Sequence, residues 1–325
     1  MGLKGYIIRR LLTMPILLIF TTLFIFILIH LAPGDPVQIM LGGNPTVTKE
    51  VIDILTRKYG LDKPLWMQYL IWLGNVLRGD FGHSFVLNAP VITLIGERIL
   101  NTLKLTLTAQ ILAICIALLL GIIAAKRHGT LIDNIISALS LFGYSMPSFW
   151  LGLICIFIFS LTLGWLPSSG TQTLGVNLSP WEALIDELKH MIMPVTILAL
   201  NQSTFLFRLV RSSMIEALSQ DYITAARARG VSERLVVYKH ALKNALLPVV
   251  TAAGLNFGYL LSGAVLIESV FGWPGLGRFT VQLAFRRDYP ALLGIYLLIA
   301  ITVMVANLIT DILYAYIDPR VKYGD

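Results

Sequence analysis

Polar and apolar positions in this chain are segregated into long blocks instead of alternating at short period. Six blocks are apolar and almost free of charge: residues 11–31, 105–125, 135 to about 163, 191–209, 246–267 and 291–317. A run of about 18 such residues is enough to cross a hydrocarbon core about 30 Å thick. Backbone groups in lipid must bond to one another, and continuous runs, as opposed to alternating ones, select helices over barrel strands. The pattern predicts an all-α, polytopic membrane bundle of six transmembrane helices.

The third block is the ambiguous one. Asp133 and Glu182 bracket 48 positions without a charge, and two crossings at 1.5 Å per residue need about 40 residues plus a turn. The run Gly164-Trp165-Leu166-Pro167-Ser168-Ser169-Gly170 is turn chemistry and takes the length a second helix requires. One long span kinked at Pro147 is therefore expected, and a break at Pro194 is expected in the next. The first block follows Lys4, Arg9 and Arg10 but is too long for a signal peptide and lacks a small-x-small cleavage site, so it reads as a retained span.

Between the first two blocks, residues 33–98 form the largest polar stretch. It opens with the turn signal Pro33-Gly34-Asp35-Pro36 and shows short amphipathic patterns at 48–60 and 65–77, which predict a small cap of interfacial helices. The expected organisation is a terminus and first span (1–31), an external segment (32–98), and a five-span core (99–325) carrying a cytoplasmic loop at 208–247.

Composition sharpens this picture. Charged residues make up 13% of the chain and hydrophobic ones 56%, against roughly 25% charged in a soluble domain. The net charge of +7 is a matter of topology. The amino terminus, 126–134, 208–243 and the carboxyl terminus together hold 14 Lys/Arg and 6 Asp/Glu, whereas the opposite side holds 11 of each. Basic residues collect on the cytoplasmic side, so both termini are expected there. No polar segment interleaves basic and aromatic residues, so nucleic acid is not a predicted partner. Cys115 and Cys155 lie singly in apolar runs and read as fillers, with no disulfide or metal site.

One cytoplasmic segment carries candidate chemistry, Asp221-Tyr222-Ile223-Thr224-Ala225-Ala226-Arg227-Ala228-Arg229-Gly230-Val231-Ser232. Asp221 can cap a helix, Gly230 can close it in the left-handed conformation, and Ser232 can open the next. The expectation is helix, sharp turn, helix. Small Ala225 and Ala226 would let a partner's backbone approach, with Tyr222, Arg227 and Arg229 as anchors. A solvated loop whose arginines only enforce topology is the bland alternative.

The Ala-Ala-x-x-x-Gly pattern at 225–230 resembles the coupling motif of permease subunits of binding-protein-dependent ABC importers. Thr224 stands where the motif conventionally has Glu, and Leu247-Pro248 lies further from Gly230 than in the general form; both departures resemble the dipeptide, oligopeptide and nickel permease branch. Similar to that branch, in order, are Pro33–Pro36, Tyr59-Gly60-Leu61-Asp62-Lys63-Pro64, Gly79-Asp80-Phe81-Gly82, the run from Asp221 to Gly230, His240-Ala241-Leu242-Lys243-Asn244-Ala245-Leu246-Leu247-Pro248, Trp273-Pro274-Gly275-Leu276-Gly277-Arg278 and Arg287-Asp288-Tyr289-Pro290. The resemblance implies a type I ABC importer fold in a prokaryotic inner membrane. It also implies a second related permease, two cytoplasmic ABC ATPases docked on Asp221, Tyr222, Ala225, Ala226, Arg227, Arg229 and Gly230, and an external substrate-binding protein. The chain has no Gly-x-x-x-x-Gly-Lys-Ser/Thr, so it is not expected to be an enzyme, and ATP and Mg belong on the partner ATPases. The implied cargo is a di- or oligopeptide, in a branch that also serves nickel, glutathione and some sugars.

Polar residues at membrane depth default to function. Asn201, Gln202, Asn256, Asn307 and Asp311 are candidates for the translocation pathway or gate, with interhelical hydrogen bonding as the alternative. His30 and Lys104 lie near span ends and can snorkel. Glycines 254, 258 and 263, with Ser262, suit close helix packing. Trp273, Pro274, Gly275 and Arg278 form a compact external turn, either an aromatic anchor or a contact for the binding protein. An ATPase-independent ion-coupled secondary carrier, with Asp311 as its coupling carboxylate, or a channel is the rival function; no inverted repeat of broken helices supports it.

Overall fold

A computed structural model describes residues 3–31, 37, 41, 48–258, 260 and 264–317. Pro33–Pro36, Ser262 and Gly263 lie outside the described residues, as does the side chain of Asn256. Helices dominate, and no β-strand occurs among the described residues. In order they are α1 (Leu3–Leu31), α2 (Lys49–Lys58), α3 (Leu65–Leu77), α4 (Val91–Lys126), α5 (Leu131–Ser145), α6 (Ser148–Cys155), α7 (Pro180–Leu218), α8 (Asp221–Ala228), α9 (Glu233–Leu235), α10 (Leu242–Gly258), α11 (Val265–Val270), α12 (Leu276–Phe285) and α13 (Tyr289–Ile317). Wider π-helical turns extend α6 over Ile156–Thr162 and join α9 to α10 over Val236–Ala241.

Among the described residues three stretches are long and apolar enough to cross a membrane outright, Ile7–Leu31, Val91–Lys126 and Tyr289–Ile312. A fourth arises if α5 and α6 count as one span, but they meet at 95°. The kink expected at Pro147 is thus a full break. Met146 is extended, with φ −82° and ψ 132°, because the ring that follows excludes the α region at the preceding residue. Pro194 behaves in the opposite way. It is buried inside the continuous 39-residue α7, so the break expected there does not occur. The cost of a helical proline, about 3 kcal/mol, is offset by the packing of its neighbours: Met191 meets Leu105 and Trp273, and Met193 and Ile197 meet Ile267 and Phe271.

Helix α7 also starts well before the apolar block at 191. Ser179 and Glu182 form a reciprocal capping box, with Glu182 N–H donating to Ser179 Oγ at 3.4 Å and Ser179 N–H to Glu182 Oε2 at 2.9 Å. Ser-x-x-Glu is a sequence signature for this start.

Helix directions follow from which residues meet. Leu105 packs with Met191 and Gly121 abuts Val210, so α4 and α7 run parallel. Val91 abuts Gly294, and further along Ile114 and Leu118 line one cavity with Ile309 and Thr310, which makes α13 parallel to α4. Phe26 packs with Leu293 while Arg10 pairs with Asp311 at 3.1 Å, so α1 is antiparallel to α13. One end, the base, gathers Ile122, Val210, Met214, Ile223, Val236 and Ala245 into a core. The opposite end carries α2, α3, α11 and α12.

Candidate functional site

At the base, α7 passes through Ser219 and Gln220 into α8. Gln220, extended at ψ 151°, is the N-cap, so Asp221 occupies the first turn and not the cap. There its charge still suits the positive end of the helix. Gly230, at φ +78°, closes the turn in the left-handed region, where a Cβ is unfavourable, and Val231 N–H donates back to Ala226 O at 3.2 Å. Ser232, extended at ψ 142°, then opens α9. The helix, turn, helix order expected for this segment is what folds.

The two faces of α8 divide its residues. Ile223 (0% exposed) and Ala226 (2%) insert into the base core beside Met214 and Val237, while Asp221, Tyr222, Ala225, Arg227, Arg229 and Gly230 are exposed. Ala226 is therefore a packing residue and cannot serve as part of an open docking face; only Ala225 of the pair can. The exposed side chains are oriented by neighbours. Arg227 donates to both carboxylate oxygens of Glu233, at 2.8 and 3.1 Å, and this bond holds the Glu233 carboxyl below its ordinary pKa. Arg229 Nε donates to Ala225 O at 3.2 Å, and Asn244 Nδ2 donates to the Tyr222 hydroxyl at 2.9 Å.

A second connection enters the base beside this core. Arg211 of α7 grips Asp133 of α5 through Nε at 2.6 Å and Nη2 at 2.7 Å, and Gly129 N–H adds a 3.0 Å bond to the same carboxylate, which is 1% exposed. Residue patterns alone do not reveal this pair, since its members are 78 positions apart. Ile223 is legible as the one large aliphatic side chain of α8, three positions before Ala226.

At the opposite end the turn at 271–278 folds inward. Trp273 is fully buried, its Nε1 donating to Asn101 O at 2.9 Å. Glu268, also fully buried, accepts from Thr102 Oγ1 at 3.0 Å and from Arg278 N–H at 2.8 Å, and Leu276 N–H donates to Thr102 Oγ1 at 2.7 Å. Gly275 presses its Cα on the Glu268 carboxylate, where a Cβ has no room. Trp273 and Gly275 are thus internal, which rules out direct contact with a binding protein in this conformation; Pro274 is exposed and Arg278 half-buried.

The candidate pathway residues whose side chains are described, Asn201, Gln202, Asn307 and Asp311, share no hydrogen bond or ion pair with one another. Asn201 and Gln202 are half-buried on α7, with the Gln202 carbonyl oxygen buried and unpartnered. Asn307 is half-buried on α13, and Asp311 pairs with Arg10. None of these lines the 740 Å³ apolar cavity between α4, α10 and α13, whose walls include Leu107, Val249, Ala253, Val305 and Thr310. Among the described residues no group of His, Cys, Asp and Glu could hold a metal ion.

Residues 117–323 match the family described as "Binding-protein-dependent transport system inner membrane component", and residues 3–106 match its N-terminal membrane component. The oligopeptide transport system permease protein AppB of Bacillus subtilis is 44% identical over 323 residues, covering 99% of this chain and 100% of the relative. The glutathione transport system permease protein GsiC of Escherichia coli K12 is 38% identical over 319 residues, covering 98% and 99%. In fold, the chain is similar to one from the inward-facing MetNI methionine ABC transporter, with TM-score 0.53, 21% identity, and coverage of 70% of this chain and 97% of that one. The apolar helices, the glycine-closed loop at the base and full-length relatives all lead to one assignment: the chain belongs to the inner-membrane components of binding-protein-dependent transport systems, the permease subunits of ABC importers.

Proposed function

We propose that this permease conducts peptides inward and that α8 is the lever through which two ATPases, carrying ATP and Mg, drive it. The observation that carries the reading is the division of α8 itself. Ile223 and Ala226 fasten it to the same core as α7 and α10, while Tyr222, Ala225 and Arg229 face outward on a short helix. A partner that gripped this face and moved it would displace α7 directly, because only Ser219 and Gln220 separate the two helices. Nucleotide-driven closure would then shift the population between inward and outward openings through differential contacts.

On this reading α1, α4, the bent α5–α6 pair, α7, α10 and α13 are six crossings, with both termini and α8 in the cytoplasm. Support comes from the directions of α1, α4, α7 and α13, which fit that count, and from the lysine and arginine surplus on the base side. Peptide as cargo is supported by the names of the relatives, and a related second permease with an external binding protein completes the assembly. The ion-coupled reading loses its main feature, since Asp311 is engaged by Arg10.

The test is to purify the chain from its native membrane and ask whether ATP-binding subunits accompany it, then measure uptake of a labelled tripeptide with Ala225→Glu in place. Loss of the subunits and of uptake, with membrane insertion intact, is expected. Normal uptake by Ala225→Glu, or uptake without any ATPase, overturns the proposal. Competition by nickel chelates, glutathione or oligosaccharides against the tripeptide reads out the cargo class.

A further inference from the structure

A cavity of about 640 Å³ opens at the end opposite the base, between the end of α1, the helices α2 and α3, and the start of α13. Arg57, Lys58 and Lys63 line it against a single acid, Asp80, whose Oδ1 already accepts from Gly82 N–H at 2.8 Å. The acids of α2, Glu50 and Asp53, occupy the other half of that helix and do not line the cavity. Among the described residues none of the three cations forms an ion pair; Lys58 Nζ lies 5.4 Å from the Tyr59 ring centroid. Deeper in the cavity lining, two buried polar atoms have no hydrogen-bond partner, Trp72 Nε1 and His30 Nε2. His30 Nδ1 lies 2.8 Å from Phe26 O, a carbonyl that can only accept, so Nδ1 carries a proton and, in the neutral ring, Nε2 offers a lone pair. The cavity therefore offers positive charge, one unused donor and one unused acceptor.

A second, apolar cavity of 230 Å³ adjoins it, sharing Phe26 and His30 and running along Leu23, Ile27 and Leu31 of α1 against Leu65 and Trp66 of α3. Because α1 crosses the bilayer, His30 at its end lies near headgroup height, and Leu23, seven residues earlier, lies about 10 Å deeper at 1.5 Å per residue. The apolar slot is at acyl-chain depth and the cationic cavity at headgroup depth. We propose that the two together form a binding site for one anionic glycerophospholipid: phosphate with Arg57, Lys58, Lys63 and the Trp72 N–H, a headgroup hydroxyl donating to His30 Nε2, and an acyl chain in the slot. This site does not depend on the peptide or on the ATPases.

A free organophosphate shares the headgroup chemistry but has no chain, and this separates the two sources. The permease, purified in mild detergent and offered mixed vesicles of phosphatidylglycerol and phosphatidylethanolamine, is extracted and its retained lipid measured. Phosphatidylglycerol enrichment of about tenfold over the vesicle ratio is expected. It should vanish in R57E/K58E/K63E and persist in the equally charged control R127E/K189E/R286E. Trp72→Phe keeps an aromatic side chain, removes the donor, and should lower retention several-fold with an unchanged melting midpoint. Ile27→Trp fills the slot and should abolish retention. Equal enrichment across all forms overturns the proposal. So does saturable binding of glycerol 3-phosphate or inorganic phosphate to lipid-depleted protein that survives Ile27→Trp, since the ligand would then be a soluble phosphate.

Discussion

The two glycine-containing turns at opposite ends of this permease have similar backbones and contrary surroundings. Gly230 at φ +78° turns the chain at the base, and Gly272 at φ +60° turns it at the other end. Around Gly230 the side chains of residues 227–229 and 232–235 face outward and Ile223, Ala226, Val236 and Val237 are held inside; around Gly272, Phe271, Trp273, Leu276 and Glu268 are all buried. The first turn presents a surface and the second closes one. A partner can therefore act on the base without unfolding anything, whereas the far turn can move only together with α4, to which Thr102 and Asn101 bind it.

That contrast sets the order of mutational effects. Glu268→Ala strands the Thr102 hydroxyl and the Arg278 N–H in a buried site, each worth about 1–3 kcal/mol when unsatisfied; folded yield by size-exclusion chromatography should collapse. Ile223→Ala should remove about 2–4 kcal/mol of local stability, read as faster hydrogen exchange confined to α8 and its turn. Ala225→Glu and Ala226→Glu separate docking from packing. The former should weaken ATPase co-purification at least about tenfold, near 1.4 kcal/mol, at constant melting midpoint, while the latter lowers the midpoint as well. If both behave alike, the division of α8 into two faces is wrong.

Gly230→Ala should cost about 1 kcal/mol through its positive φ, and this small loss should appear in the coupling of ATP hydrolysis to uptake before it appears in thermal stability. Smallest is Arg227→Gln, which removes an exposed ion pair worth at most about 1 kcal/mol. Because Arg227 holds the Glu233 carboxyl below its ordinary value, the pair's contribution is full above that ordinary value and fades as pH falls through the depressed one. Protease sensitivity of the 227–233 turn should rise only in acid, and not change with pH in Arg227→Gln.

Much of the architecture was readable beforehand because it rests on local rules. Apolar runs marked the long helices, amphipathic stretches marked α2 and α3, and Gly230 marked its turn. What escaped depends on partners distant in the chain. Whether a proline breaks a helix is decided by packing, so Pro147 and Pro194 look alike in sequence and behave differently. Ala225 and Ala226 are chemically identical, and only the core that receives one of them assigns their roles. Glu268 and Asp288 have no neighbour in sequence that marks them as internal, yet both are fully buried; Asp288 accepts from Ser84 and from Phe85 N–H, more than two hundred positions away. Trp273 looked interfacial for the same reason, since nothing near it shows that Leu105 and Met191 enclose it.

The unbroken length of α7 has a mechanical consequence. Its 39 residues extend about 58 Å at 1.5 Å per residue, nearly twice the hydrocarbon thickness. A rigid rod of that span pivoting about its middle by about 5° carries each tip about 2.5 Å, in opposite senses. The Ser179 clasp at one tip and the approach to α8 at the other are then two readings of a single angle, and a spectroscopic ruler attached at either tip would report the same stroke.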